Sequence, residues 1–255
     1  MSGNAREPGR STIDRLFTLL DVFDGTELTL AEITERSGLP LTTAHRILAS
    51  LERCGGVERG PAGTYRIGLR LWALSTRSSA GAALRERASR PMRDLYDATH
   101  ATVQLAVLDH HSALVIERLT GLHAAADRTE VGGRLPLHAS AVGKVLLAHG
   151  PAGLLAELGE LGERGLRRHT PHTLVMPGRL AASVRATRET GFGTSHEELV
   201  LGAASLAVPV TGADGVVHAA LGLVARSHAS LARHAGLLRA AADRISGPAL
   251  LRKSS

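Results

Sequence analysis

The stretch SGLPLTTAHRILASLER, residues 37–53, decides how the amino-terminal third of the chain folds. Gly38 stands where a helix needs a left-handed terminal residue, and Pro40 stops that helix while presetting the backbone for the next. Beyond the proline, Ala44, Ile47, Leu48 and Leu51 fall at i, i+3, i+4 and i+7, which predicts a helix with one buried stripe. Opposite that stripe stand Thr42, Arg46, Ala49 and Arg53, flanked by Thr43, His45 and Ser50. The outward face is therefore polar, narrow and built of small residues near its start.

The residues on either side give that face a context. Upstream, Thr29 and Glu32 have the spacing of a reciprocal capping box, and Leu28 and Ile33 that of a hydrophobic staple, so a short helix of about Leu30 to Ser37 is expected. Before it, Ser11 to Phe23 places Ile13, Leu16, Phe17, Leu20 and Phe23 at helical spacing. Downstream, Val57–Arg59 and Thr64–Ile67 are strand-like around a Gly-Pro-Ala-Gly turn, a small hairpin carrying Arg59 and Arg66. Two helices joined by a short glycine-containing turn form a helix-turn-helix, and a basic hairpin after the second helix has the character of a wing. Small hydroxyl residues allow close approach to phosphate, and Arg46 is long enough for a bidentate contact. Thr42, Thr43, His45 and Arg46 are thus candidates for the major groove, and Arg53, Arg59 and Arg66 for phosphates. Arg6 and Arg10 add a basic arm over residues 1–10. The competing possibility is a winged domain used only for protein contacts.

Charge alone does not place this surface. The net charge is +6, but residues 1–77 hold 10 Lys and Arg against 9 Asp and Glu, so a broad positive field over the winged segment is excluded. Aromatics are only 2%, which argues against recognising single-stranded nucleic acid by stacking. The single cysteine, Cys54, excludes a disulfide framework and fits a reducing compartment. The start MSGNAREPGRS has no apolar core, and no run approaches the roughly 20 apolar residues of a membrane helix. A cytoplasmic protein is expected.

The rest of the chain predicts an α+β unit. Leu69 to Ser79 reads as a helix, residues 78–82 as a hinge, and Ala83 to Ala98 as a helix that Pro91 should bend or restart. ATVQLAVLD and ALVIERLT are strands around the turn 109–112, and ASLAVPV and VVHAALGLV are strands around the turn 211–215. Helices are expected near 140–149, 151–158 and 177–190, with a last one from about Leu231 to Leu250. The expected organisation is an arm (1–10), a winged helix-turn-helix domain (11–68), a connector helix and hinge (69–80), and an antiparallel-sheet domain (81–255).

Enzymatic signatures are missing. Gly143-Lys144 lacks the first glycine of a phosphate loop, since His138 stands there, and Val145 replaces its Ser/Thr. Lys144 is expected as a helix-surface or sheet-packing residue. No nucleophile–base arrangement is identifiable, and Glu197-Glu198, read as strand neighbours, point oppositely. His110 and His111 diverge in a turn, and His169 with His172 lacks a third ligand, so neither metal nor cofactor is expected.

The segment from Leu28 to Ser75 resembles the amino-terminal domain of the IclR family of bacterial transcriptional regulators. The likeness rests on Gly38-Leu39-Pro40, Thr42-Thr43, Arg46 and Tyr65-Arg66-Ile67-Gly68. RLPLHASAVGKVLLA (134–148) and ETGFGTSHEELVLGAASLAVPVTGADG (189–215) are similar to that family's later signatures. The resemblance implies a GAF-like effector-binding domain and a dimer or tetramer on a palindromic operator of double-stranded DNA. It places an effector pocket at Ser140, Ala141, Ser195 or its neighbour His196, Leu199, Ser205, Gly222 and Val224. Ser205, Gly222 and Val224 make that pocket roomy and apolar, suited to a bulky or aromatic acid. A GAF-like sensor acting through protein partners is the alternative.

Overall fold

The computed structural model describes residues 11–23, 25–75, 79–120, 129–162 and 165–247. The expected basic arm, with Arg6 and Arg10, lies outside them. The chain forms two compact units, Met1–Ser79 and Ala80–Ser255.

The first unit starts with α1 (Thr12–Leu20), α2 (Leu30–Ser37) and α3 (Leu41–Arg53). The capping box of α2 is made: Thr29 Oγ1 accepts from the Glu32 amide at 3.3 Å, and Glu32 Oε2 accepts from the Thr29 amide at 2.8 Å. Gly38 ends α2 at φ +65°, a backbone state costly for any residue with a Cβ. Leu19, Leu28, Ile33, Leu48 and Tyr65 meet in a small core with the expected stripe of α3. The first helix departs from expectation. It ends at Leu20, its buried residue is Leu19, and Ile13 and Phe17 lie exposed. Strands β1 (Val57–Arg59) and β2 (Tyr65–Ile67) pair antiparallel as the wing, with Glu58 opposite Arg66. Helix α4 (Leu69–Ser75) follows, tied back by the Arg70 guanidinium donating to the Cys54 carbonyl at 2.7 Å. Residues 76–78 of the expected helix lie outside the described residues, and Leu69, Trp72 and Leu74 on α4 are exposed.

The second unit opens with α5 (Ser79–Thr99), one helix that runs through Pro91. The expected hinge at 78–82 is thus helical from Ser79 onward; burial of Leu84, Ala88, Met92 and Leu95 against the sheet holds the helix together. The sheet is antiparallel and six-stranded, in the order β5-β4-β3-β8-β7-β6. Its strands are β3 (Thr102–Asp109), β4 (Ser112–Leu119), β5 (Arg134–Pro136), β6 (Gly193–His196), β7 (Ala203–Thr211) and β8 (Val217–Arg226). Both edge strands were missing from the sequence expectation. The two faces are sorted by alternation. Val103, Leu105, Leu221, Leu223 and Val208 face α5 and α9 (Ala235–Ile245), which a short 3-10 turn (Leu231–His234) precedes. Ala106, Val115, Ala207 and Ala220 face α6 (Ala141–His149), α7 (Leu154–Glu160) and α8 (Pro177–Thr190). The expected residues 248–250 of the last helix lie outside the described residues.

Candidate functional site

Two surfaces carry groups able to recognise another molecule, one in each unit. The first is the outward side of α3. Ala44, Ile47, Leu48 and Leu51 are buried, which leaves Thr42, His45, Arg46 and Arg53 exposed and Thr43 half-buried. Pro40 supplies no side-chain cap to α3, so the first-turn amides ahead of Thr43 keep their hydrogen-bonding capacity at the positive end of the helix. Arg46 has no carboxylate partner among the described residues, and Arg53 donates only to Ser50 Oγ at 3.1 Å. On the wing, Arg59 lies 5.8 Å from the centre of the Tyr65 ring, which orients it without neutralising it.

Arg66 differs from the other basic candidates. Its Nε and Nη2 donate to Glu58 Oε2 at 3.0 and 2.8 Å, and its Nη1 lies 3.5 Å from Glu27 Oε1. The Arg66 guanidinium, with the Leu69 amide, holds the Glu58 carboxyl below its usual range, and Glu58 in turn raises Arg66. Arg66 is therefore an exposed but ion-paired candidate for phosphate, braced between the wing and the residues around it.

The second surface is a cleft on the α6 face of the sheet. Strand register explains which expected residues reach it. Ser195, Ser205, Val224 and Thr102 form one rung across β6, β7, β8 and β3. The next rung is Gly193, Ala207, Gly222 and Gln104. The small residues of that second rung let α6 lie close: a Cβ at Gly222 would stand 2.8 Å from Val142 Cγ1. The first rung, beyond the start of α6, is left as floor.

The cleft is nearly closed, with a cavity volume of about 20 Å³ inside about 340 Å³ of empty space that includes open solvent. Of the expected residues, Ser140, Ser195, Leu199, Ser205 and Val224 line it. Gly222 does not, because α6 covers it; Ala141 is buried in the core below; and His196 points outward, since alternation along β6 turns Ser195 in. Gln104, Leu135, Ala139, Val200, Ala203 and Ala204 complete the lining and were not foreseen. The Gln104 signal was its place in an otherwise apolar strand. The cleft is apolar as expected but narrow, with Leu199 and Val200 from the loop after β6 among its walls.

Few polar groups in the cleft are available. Ser140 Oγ accepts from the Gly143 amide at 3.1 Å and donates to the Pro136 carbonyl at 2.8 Å, and Ser195 Oγ donates to the Ala139 carbonyl at 2.9 Å. The Ser205 hydroxyl has no partner among the described residues, and Gln104 Oε1 accepts from Arg118 at 3.4 Å. The amides of Ala141 and Val142 precede the internal ladder of α6 and have no acceptor among the described residues. Apolar walls beside a helix start suit an organic anion.

Of the two placements expected for Lys144, the structure takes the one packed against the sheet and not the helix surface. The residue is 1% exposed, and its Nζ lies 2.5 Å from Glu198 Oε1 and 2.9 Å from the Thr194 carbonyl. Burial pushes the Lys144 ammonium below its usual range, and Glu198 opposes that. Glu197 and Glu198 are not strand neighbours: β6 ends at His196 and Glu197 turns the chain at φ +54°. His138 is buried against the Arg167 carbonyl, and burial lowers its proton affinity.

Comparison with known proteins gives a consistent picture. Residues 12–61 match the IclR helix-turn-helix domain, and residues 77–247 match the bacterial transcriptional regulator IclR C-terminal family. The chain is 34% identical over 218 residues to the HTH-type transcriptional regulator XynR of Escherichia coli, covering 83% of this chain and 84% of that one. It is 31% identical over 202 residues to the glycerol operon regulatory protein of Streptomyces coelicolor, covering 78% of each. A crystal structure of an IclR homolog from Microbacterium hydrocarbonoxydans, complexed with 4-hydroxybenzoate, superposes with a TM-score of 0.81 at 34% identity, over 92% of this chain and 97% of that one. These curated relatives are regulators, not enzymes. Among the described residues no helix is long and apolar enough to cross a membrane.

Proposed function

The chain belongs to the IclR family of bacterial transcriptional regulators, and from that premise we propose that it is a ligand-responsive regulator reading an inverted-repeat operator as a dimer or higher oligomer. The observation that carries the reading is the outward face of α3, where Thr42, Thr43, His45 and Arg46 surround an uncapped helix start. These four residues enter the major groove; Arg53 and Arg59 meet flanking phosphates. Arg66 holds the wing in shape. In this reading residues 11–68 are the DNA-binding domain, 69–80 the connector and 81–255 the effector domain. Ile13, Phe17, Leu69 and Trp72 are large apolar side chains left exposed on the first unit, and a second copy of the chain is the partner that covers them. Two such heads meet two half-sites at a spacing set by the pair.

The effector is an aromatic or similarly bulky organic acid. Its carboxylate faces Ser140 at the start of α6, its body lies on Val224 and between Leu135, Leu199 and Val200, and its far end meets Gln104 and Ser205. The 4-hydroxybenzoate of the Microbacterium homolog supports this class. Filling the cleft shifts the pairing geometry of the heads, a coupling between two sites that is reciprocal by thermodynamic necessity. The protein acts in the cytoplasm. The test is operator affinity with and without 4-hydroxybenzoate; an affinity unmoved by saturating acid would contradict the effector reading while leaving DNA binding intact.

A further inference from the structure

The loop between β6 and β7 forms one wall of the cleft and the start of α6 the other, and one buried contact joins them. Leu199 and Val200 belong to the loop and Ala203 opens β7 behind it, while Ala139 and Ser140 lead into α6. Lys144 stands one helical turn after Ser140, on a helix whose residues 141–148 are all buried. No water-facing path is open to its ammonium, so its position is set by the groups it meets: Glu198 of the loop and the carbonyl of Thr194 on β6.

The loop is otherwise poised rather than relaxed. Glu197 holds a left-handed backbone at φ +54°, a conformation that costs a non-glycine residue and persists only when its surroundings impose it. Thr170 Oγ1 donates to the Glu197 carbonyl at 2.6 Å, and Thr173 Oγ1 donates to the Glu198 carbonyl at 2.6 Å. Those bonds hold the loop's backbone independently of Lys144. Only the Lys144–Glu198 pair links the loop's side chains to α6 itself among the described hydrogen bonds. Glu198 Oε2 is buried without a partner among the described residues, so the carboxylate is held by one oxygen at a cost that apolar packing at the site would avoid.

We propose that Lys144 and Glu198 are positioning residues for the effector cleft: their buried contact clamps the 197–202 loop against α6 and so sets how tightly an organic acid is held. The inference rests on the cleft being the effector site. Neither residue lines the cleft, so both act through the wall residues they place.

The test uses the full-length chain in three forms: wild type, Lys144→Met, and the double variant Lys144→Met with Glu198→Leu. The double variant removes the burial of an unpaired carboxylate, which keeps the fold measurable if the single variant unfolds. Hydrogen exchange is followed by peptide mass spectrometry, and 4-hydroxybenzoate binding by calorimetry. Expected is a double variant that melts near the wild-type temperature, yet exchanges amides 197–203 at least tenfold faster, with β3 and β8 unchanged. Its affinity for 4-hydroxybenzoate falls at least tenfold. A double variant with wild-type exchange at 197–203, or with faster exchange there but wild-type affinity, overturns the proposal and leaves the pair a packing feature. If wild-type protein binds no 4-hydroxybenzoate, the acid-effector reading falls; the exchange data still decide whether the clamp exists.

Discussion

Replacing Arg46 by alanine isolates what the face of α3 contributes. The side chain is exposed and has no carboxylate partner among the described residues, so its removal deletes no ion pair described there. The fold and thermal midpoint should stay as they are. On DNA the loss is different. One bidentate base contact discriminates by about 1–3 kcal/mol, or roughly fivefold to a hundredfold per protomer. Two heads on one operator double the energy, so affinity should fall on the order of 25-fold to 10⁴-fold. If Arg46 instead holds a phosphate, the log–log salt slope drops by about 0.9 per head and random DNA is weakened equally. Fluorescence anisotropy on operator and scrambled duplexes, at several salt concentrations, separates these cases. Arg66→Ala is the comparison: it frees Glu58 and Glu27, so it should lower wing stability first, with the salt slope changing less. A folded Arg46→Ala protein with wild-type affinity and salt slope would refute the assignment of the reading face to α3.

Other expectations follow from single contacts. Thr29→Ala removes the capping box of α2 and should cost about 1 kcal/mol, read as a lower urea midpoint of the amino-terminal transition. Glu32 is held below its ordinary 4.5, first by the Thr29 amide. A carboxylate with a depressed folded pKa stabilises fully above its ordinary value, and that stability is lost as pH falls through the folded value. Wild-type protein should therefore lose stability more steeply below pH 4.5 than Glu32→Gln does; parallel acid limbs would contradict this. Ser205→Phe fills the cleft floor and should abolish the thermal stabilisation by 4-hydroxybenzoate while operator affinity without ligand stays within about twofold. Gly222→Val pushes on Val142 and should destabilise the second unit by about 1–3 kcal/mol in chemical unfolding; a neutral result would mean that α6 yields freely.

Local chemistry made the amino-terminal unit legible. Thr29, Glu32, Gly38 and Pro40 are stop and start signals that act within one turn, so the span of α2 and the start of α3 could be located from them. The edge strands were not legible for the opposite reason. Strand β5 has three residues ending in Pro136, and β6 reads Gly-Thr-Ser-His; neither has the β-branched run that marks a strand, and each exists because a neighbour pairs with it. Of the hinge expected at 78–82, residues 79–82 form the first turn of α5, ahead of the burial that begins at Leu84.

The site was legible by residue type but not by direction. Ser195 against His196 is a decision about which face a residue takes, and a one-residue shift in register reverses it. Gly222 shares the face of Val224 and is lost to the cleft only because α6 covers it. Lys144 had a readable signal. AVGKVLLAH is apolar on all sides, which marks a buried helix, and a lysine in a buried helix requires a carboxylate. Arg66 had one too, since a hairpin centred on Pro61-Ala62 sets it opposite Glu58.

The most direct test is a selection: the full-length chain captures genomic fragments at near-physiological salt, and the fragments are sequenced beside those taken by Arg46→Ala. The expected result is enrichment of one inverted-repeat motif, its half-sites a whole number of helical turns apart, that the variant fails to enrich. Fragments with no shared motif, or the same motif at equal enrichment from both proteins, would contradict an operator read by α3.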